Sequence, residues 1–96
     1  MNILRLPNLG ASSGEAEVVV WLKTVGEPVT EGEPVLEVQS DKANVEVVAS
    51  ASGILARVLV DEGKILKSGD VLAVIAQDDE PRDAATIDRV LAELER

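Results

Sequence analysis

With no Cys and no His among its 96 residues, the chain has no thiol nucleophile, no disulfide and no thiolate or imidazole metal ligand. It also lacks the usual general base at neutral pH. What remains for chemistry are amines and carboxylates, and one amine stands out by its setting. Lys42 lies in Ser40-Asp41-Lys42-Ala43, between two alternating stretches. On one side Leu36 and Val38 alternate with Val35 and Glu37; on the other Val45 and Val47 alternate with Asn44 and Glu46. Such alternation with β-branched residues reads as two half-buried strands, and the four residues between them as the turn of a β-hairpin. Lys42, the hairpin's only lysine, is then held where another protein reaches it. By residue type alone a turn lysine is ordinarily a solvated charge. A second chemical reading pairs Asp41 and Glu46 as acid and base. Asp41, however, suits a turn and Glu46 falls on the exposed strand face. Neither has the apolar surroundings that tune a carboxyl for proton transfer.

Other elements must hold that hairpin in place. Residues 2–6 form a short apolar strand stopped by Pro7, as suits a sheet edge. Residues 8–15, rich in Gly and Ser, read as a loop. Residues 17–22 make a second strand, containing Trp21. Residues 24–33, with Gly26, Pro28 and Gly32, form a turn-rich crossing into the hairpin. After Gly53, residues 54–60 are another strand, Gly63 and Gly69 punctuate a second crossing, and residues 71–76 close the domain. Lys23, Lys64 and Lys67 fall in crossings or at strand ends and are expected to stay free.

The chain repeats itself at an offset of 37: Gly26 falls on Gly63, Val29 on Leu66, Gly32 on Gly69, and Val35-Leu36 on Leu72-Ala73. Two copies are too few for a solenoid. They imply two similar β units about a pseudo-twofold axis, with two sheets over one core.

These landmarks together resemble the lipoyl domains, the swinging-arm carriers of 2-oxoacid dehydrogenase complexes. Leu6-Pro7-Asn8-Leu9-Gly10 is similar to the family's opening Leu-Pro-x-Leu-Gly. Val20-Trp21-Leu22-Lys23 with Val25-Gly26, and Glu31-Gly32-Glu33, match its next landmarks, and the Asp41-Lys42-Ala43 tip matches its lipoylation site. The resemblance covers residues 3–75. It implies an all-β fold, a flattened barrel or sandwich of two four-stranded sheets with pseudo-twofold symmetry, with the hairpin in one sheet and the termini in the other. It also implies lipoic acid in amide linkage on Lys42, with Asp41 and Ala43 flanking it for recognition. In the family the first loop helps the decarboxylase recognise its carrier, which here assigns that role to Gly10, Ala11, Ser12, Ser13, Gly14 and Glu15. Ala11 and Ala16 depart from the Gly-Glu and Glu-Gly steps common there. Implied partners are a lipoate ligase or octanoyl transferase, a thiamine-diphosphate 2-oxoacid decarboxylase, an acyltransferase core and dihydrolipoamide dehydrogenase. Biotinyl domains share the fold but set their lysine between two methionines, whereas the single Met here is Met1. The remaining alternative is an unmodified lipoyl-like interaction module. In either case the chain is expected to be a carrier or binding domain without catalysis of its own.

A net charge of −9 argues against nucleic acid or anionic membrane as partners. No apolar run approaches the length needed to span a membrane. Met1 leads almost directly into the first strand, so a cytoplasmic location is expected. Residues 1–77 read as the lipoyl domain and residues 78–96 as an acidic linker with a short helix. In the latter, Ile87, Val90, Leu91 and Leu94 are spaced i, i+3, i+4 and i+7 on one helical face, with Asp83 or Thr86 as its cap. So short a helix is marginal alone in water. It either frays or rests on a surface: this domain, a second copy or a partner.

Overall fold

Alternating burial places the strands where the sequence pattern set them, and it adds two. The computed structural model describes residues 1–8, 14–41, 43–77 and 79–94. Eight strands precede one helix: β1 (Asn2–Arg5), β2 (Glu15–Trp21), β3 (Pro28–Val29), β4 (Pro34–Ser40), β5 (Asn44–Val48), β6 (Gly53–Val58), β7 (Ile65–Lys67), β8 (Val71–Ala76) and α1 (Ala84–Leu94). They form two four-stranded sheets of order β1-β8-β6-β3 and β5-β4-β2-β7, every pair antiparallel. We call the first the terminal sheet and the second the hairpin sheet. The fold is all-β with a helical tail, as expected.

β3 and β7 lie within stretches read from sequence as crossings. Two or three residues show no periodicity, and only pairing with β6 and β2 makes them strands. β2 begins two residues earlier than its pattern suggests for the same reason: Glu15 and Ala16 pair with Lys67 and Leu66 of β7.

The 37-residue repeat is structural. Moving β2, β3 and β4 by that offset lays them on β6, β7 and β8, while β1 takes the place of β5. Even the irregularities correspond: the β2·β4 register shifts between Val18 and Val20, and the β6·β8 register between Leu55 and Arg57. The units also exchange equivalent hydrogen bonds. The Gly26 N–H donates to the Leu55 carbonyl and the Gly63 N–H to the Val18 carbonyl, both at 2.8 Å. Both glycines have positive φ, 98° and 90°, a region that costs other residues energy. The core between the sheets is aliphatic, with Val35, Leu36, Val38, Leu55, Leu72 and Ile75 fully enclosed. The sole tryptophan, Trp21, packs at its margin and donates its indole N–H to the Val60 carbonyl at 2.9 Å.

The tail helix is docked on this domain. Asp83 caps it, accepting from the Thr86 N–H at 3.1 Å and the Thr86 hydroxyl at 2.7 Å. Asp88 pairs with Arg57 of β6. Arg57 stands opposite Val74 in the ladder, and Ile54 opposite Ala76, so these side chains share the sheet's outer face. Val74 and Ala76 are nonetheless wholly buried, as is Ile87 of α1. The helix thus covers the outer face of the terminal sheet, and burying Ile87 is worth about 1.5–3 kcal/mol. Ahead of the helix, Glu80 ties the linker down, accepting from the Met1 amino group at 2.6 Å and the Gln77 N–H at 2.8 Å.

Candidate functional site

The hairpin β4–β5 pairs without a break from Leu36↔Val47 through Val38↔Val45 to Gln39↔Asn44. Residues 40–43 close it. The Ser40 N–H donates to the Ala43 carbonyl at 2.9 Å, and the Ser40 hydroxyl lies 3.1 Å from that carbonyl and 3.2 Å from the Ala43 N–H. Main chain and side chain of Ser40 therefore brace the same residue across the turn. Asp41 and Ala43 are exposed. Lys42, on which the expected chemistry rests, lies outside the described residues, as do Gly10, Ala11, Ser12 and Ser13 of the expected recognition loop. Gly14 and Glu15 are placed. Glu15 opens β2, and the next residue, Ala16, is the ladder partner of Ser40. Glu15, Glu17, Gln39, Ser40 and Ile65 line a shallow hollow of about 300 Å³ beside the turn. The end of the first loop and the start of the hairpin turn are thus neighbours on one sheet.

Around the turn the outer face of the hairpin sheet is polar and acidic. Because Val18, Val38 and Val47 point into the core, the residues between them point out. One row across the sheet is Ile65, Glu17, Gln39 and Asn44; the next is Val20, Glu37 and Glu46. Glu37 and Glu46 are directly opposed, and Glu37 accepts from the Asn44 side-chain amide at 3.1 Å. Sequence reasoning weighed Glu46 only against Asp41 as an acid–base pair. The structure instead sets it against Glu37. The signal was available: a turn spanning 40–43 puts Gln39 opposite Asn44 and hence Glu37 opposite Glu46. Among the described residues no three His, Cys, Asp or Glu side chains gather in a way that could hold a metal ion.

The carboxylates with shifted titration lie away from the turn and do structural work. The Thr24 hydroxyl and N–H hold the Glu27 carboxyl below its ordinary range. The Lys23 ammonium and then the Thr30 N–H do so for Glu33. Glu80 is lowered by the Met1 amino group and Asp83 by the Thr86 hydroxyl.

Comparison with known proteins bears on this arrangement. The family model described as "Biotin-requiring enzyme", the biotin and lipoyl attachment family, matches residues 2–75. The dihydrolipoyllysine-residue succinyltransferase component of the 2-oxoglutarate dehydrogenase complex of Staphylococcus saprophyticus is 38% identical over 74 residues, 77% of this chain and 18% of that protein. The dihydrolipoyllysine-residue acetyltransferase component of the pyruvate dehydrogenase complex of Staphylococcus epidermidis is 41% identical over 71 residues, 74% of this chain and 16% of that one. The chain therefore spans less than a fifth of the length of these relatives. Among solved structures, the lipoyl domain of the 2-oxoglutarate dehydrogenase complex from Azotobacter vinelandii superposes with a TM-score of 0.66 at 28% identity, covering 80% of this chain and 98% of that domain. A single-chain, multi-domain long-chain acyl-CoA carboxylase, at 22% identity and TM-score 0.65 over 99% of this chain and 8% of its own, shares the fold.

Proposed function

The chain belongs to the biotin and lipoyl attachment family, and from that membership we propose that it is a lipoyl carrier domain of a 2-oxoacid dehydrogenase complex, with Lys42 as the attachment residue. The observation that carries the reading is the Asp41-Lys42-Ala43 tip at the end of a fully paired hairpin whose flanking residues are exposed. Lipoic acid, in amide linkage, supplies the acyl-accepting and redox-active dithiolane, and the protein supplies its presentation. The chain's own part is mechanical. β4 and β5 pair up to Gln39↔Asn44, and Ser40 bonds to Ala43 beyond that pair. Asp41 and Ala43 offer small, accessible flanks for the enzyme that loads the lysine. Free lysine titrates near about 10.4, so the loading enzyme must supply both the activated acid and the deprotonation. We assign no catalysis to this chain.

The partners on this reading are a lipoate ligase or octanoyl transferase, a thiamine-diphosphate decarboxylase, an acyltransferase core and dihydrolipoamide dehydrogenase, each served in turn by a tethered arm at high effective concentration. Gly10, Ala11, Ser12, Ser13, Gly14 and Glu15 are proposed as the loop the decarboxylase reads, and the cytoplasm as the place of action. Intact mass and peptide mapping of chain made with lipoate and a competent ligase test the assignment. A gain of about 188 Da on Lys42, absent from Lys42→Ala, is expected. A gain of about 226 Da would make it a biotin carrier. No gain on folded protein would leave an interaction module.

A further inference from the structure

Two pseudo-equivalent sheets give this domain two similar outer faces, and the tail treats them differently. α1 covers the terminal sheet, where Val74 and Ala76 are sealed beneath it. Among the described residues no helix covers the outer face of the hairpin sheet, which adjoins Ser40 at the hairpin's end.

That face holds an arrangement that costs the fold energy. Glu37 and Glu46 are direct cross-strand partners, and like charges so placed destabilise an antiparallel pair. Glu17 stands in the adjoining row, and in the row beyond it Glu15 is opposite Lys67, so the carboxylates outnumber the amines on this face. The ion pairs among the described residues, Met1–Glu80, Lys23–Glu33 and Arg57–Asp88, include none of Glu17, Glu37 and Glu46. Beside them Ile65 is 53% exposed, an apolar contact at the edge of the acidic rows. A self-repelling face left open next to the reactive turn, while its counterpart is closed, complements a cationic surface that carries an apolar seat.

We propose that the outer face of the hairpin sheet, through Glu17, Glu37, Glu46 and Ile65, docks a Lys- and Arg-rich surface of the enzyme that loads residue 42. This rests on the carrier reading above and adds to it the surface and the partner's charge. Docking places positive charge over the opposed glutamates and relieves their repulsion, so binding is favoured at the cost of the free domain's stability. The attraction is screened over about 8 Å at physiological ionic strength, so loading slows as salt rises.

The test uses the whole chain with purified lipoate–protein ligase as the probe, following the 188 Da product at low and high salt. Glu46→Gln and Glu46→Lys remove or invert one member of the pair. Glu93→Lys on α1 makes the same net charge change as Glu46→Lys at an exposed position off the face. Glu46→Lys is expected to lower kcat/KM roughly tenfold at low salt with kcat little changed, and to flatten the salt dependence. Glu46→Gln lies between, and Glu93→Lys matches the unmutated chain. Both Glu46 variants should unfold at an equal or higher temperature, since a cross-strand repulsion is gone, so slower loading cannot be put down to a damaged fold. Amide shifts of labelled chain on adding ligase should fall in β2, β4, β5 and β7 and spare α1. Equal effects of Glu46→Lys and Glu93→Lys, unchanged loading by both, or shifts centred on α1 would each overturn the docking face while leaving the carrier reading intact. An unmutated chain that gains no 188 Da removes the carrier reading and this proposal with it.

Discussion

Gly53 opens β6 where the two units of the repeat ought to be interchangeable. Its counterpart at the 37-residue offset is Ala16, which is buried without difficulty. A Cβ built on Gly53, however, would stand 2.3 Å from the Ala76 carbonyl oxygen and 3.0 Å from Cγ2 of Ile75. The glycine is required for space, not for an unusual φ. An ordinary carbon–oxygen contact is about 0.9 Å longer than the one Gly53→Ala would create, and the obstacle is backbone that cannot rotate away. That backbone lies in β8, a central strand of the terminal sheet, beside fully buried Ile75. Overpacking of this kind costs about 1–3 kcal/mol. A strained or lost ladder hydrogen bond at Ile54↔Ala76 adds about 1 kcal/mol. The smaller unfolded-state entropy of alanine returns about 0.4–1 kcal/mol. The net is about 2 kcal/mol, which for a domain of this size lowers Tm by roughly 8–16 °C. Urea and thermal unfolding followed by the single tryptophan measure it, with Ala16→Gly as the companion, expected to lose only about 1 kcal/mol. A Gly53→Ala chain within about 2 °C of the parent would refute the argument, showing that β8 moves aside freely.

Ile87→Ala removes the one wholly buried side chain of α1 and should destabilise the chain by about 2–3 kcal/mol. Hydrogen exchange of the α1 amides should accelerate well ahead of those in β4 and β8, because an eleven-residue helix does not persist undocked; unchanged exchange in α1 would mean that something other than Ile87 holds it. Acid sensitivity follows from the depressed carboxyls. Glu27 and Glu33 titrate below their ordinary value of 4.5 when folded, so their contribution is complete above that pH and disappears as pH falls through the folded values. A Glu27→Gln, Glu33→Gln chain should therefore melt below the parent at pH 6–7, and the gap should narrow steadily as pH falls below 4.5; a gap that does not narrow on acidification would locate the effect outside these two titrations.

Much of the site was written in the local pattern. Alternation on both sides of residues 40–43 specifies the hairpin, and the repeated glycine spacing specifies two similar units, because both are short-range constraints that each segment meets by itself. The same pattern contained the opposition of Glu37 and Glu46, which needed only the turn length to be counted through. β3 and β7 were not legible: a strand of two or three residues has no period, and its identity comes wholly from the neighbour that pairs with it. The requirement for glycine at 53 is equally tertiary, since the atom that excludes a methyl group there belongs to residue 76. Whether the tail helix frays or docks depended on a surface that local spacing does not display. One mark of it was present in residues 71–76, Val-Leu-Ala-Val-Ile-Ala, an apolar run without alternation, as in a strand buried on both faces. One of those faces meets the core. Only the folded chain decides that the other meets Ile87, because that contact needs β8 in the middle of its sheet and the chain turned back across it.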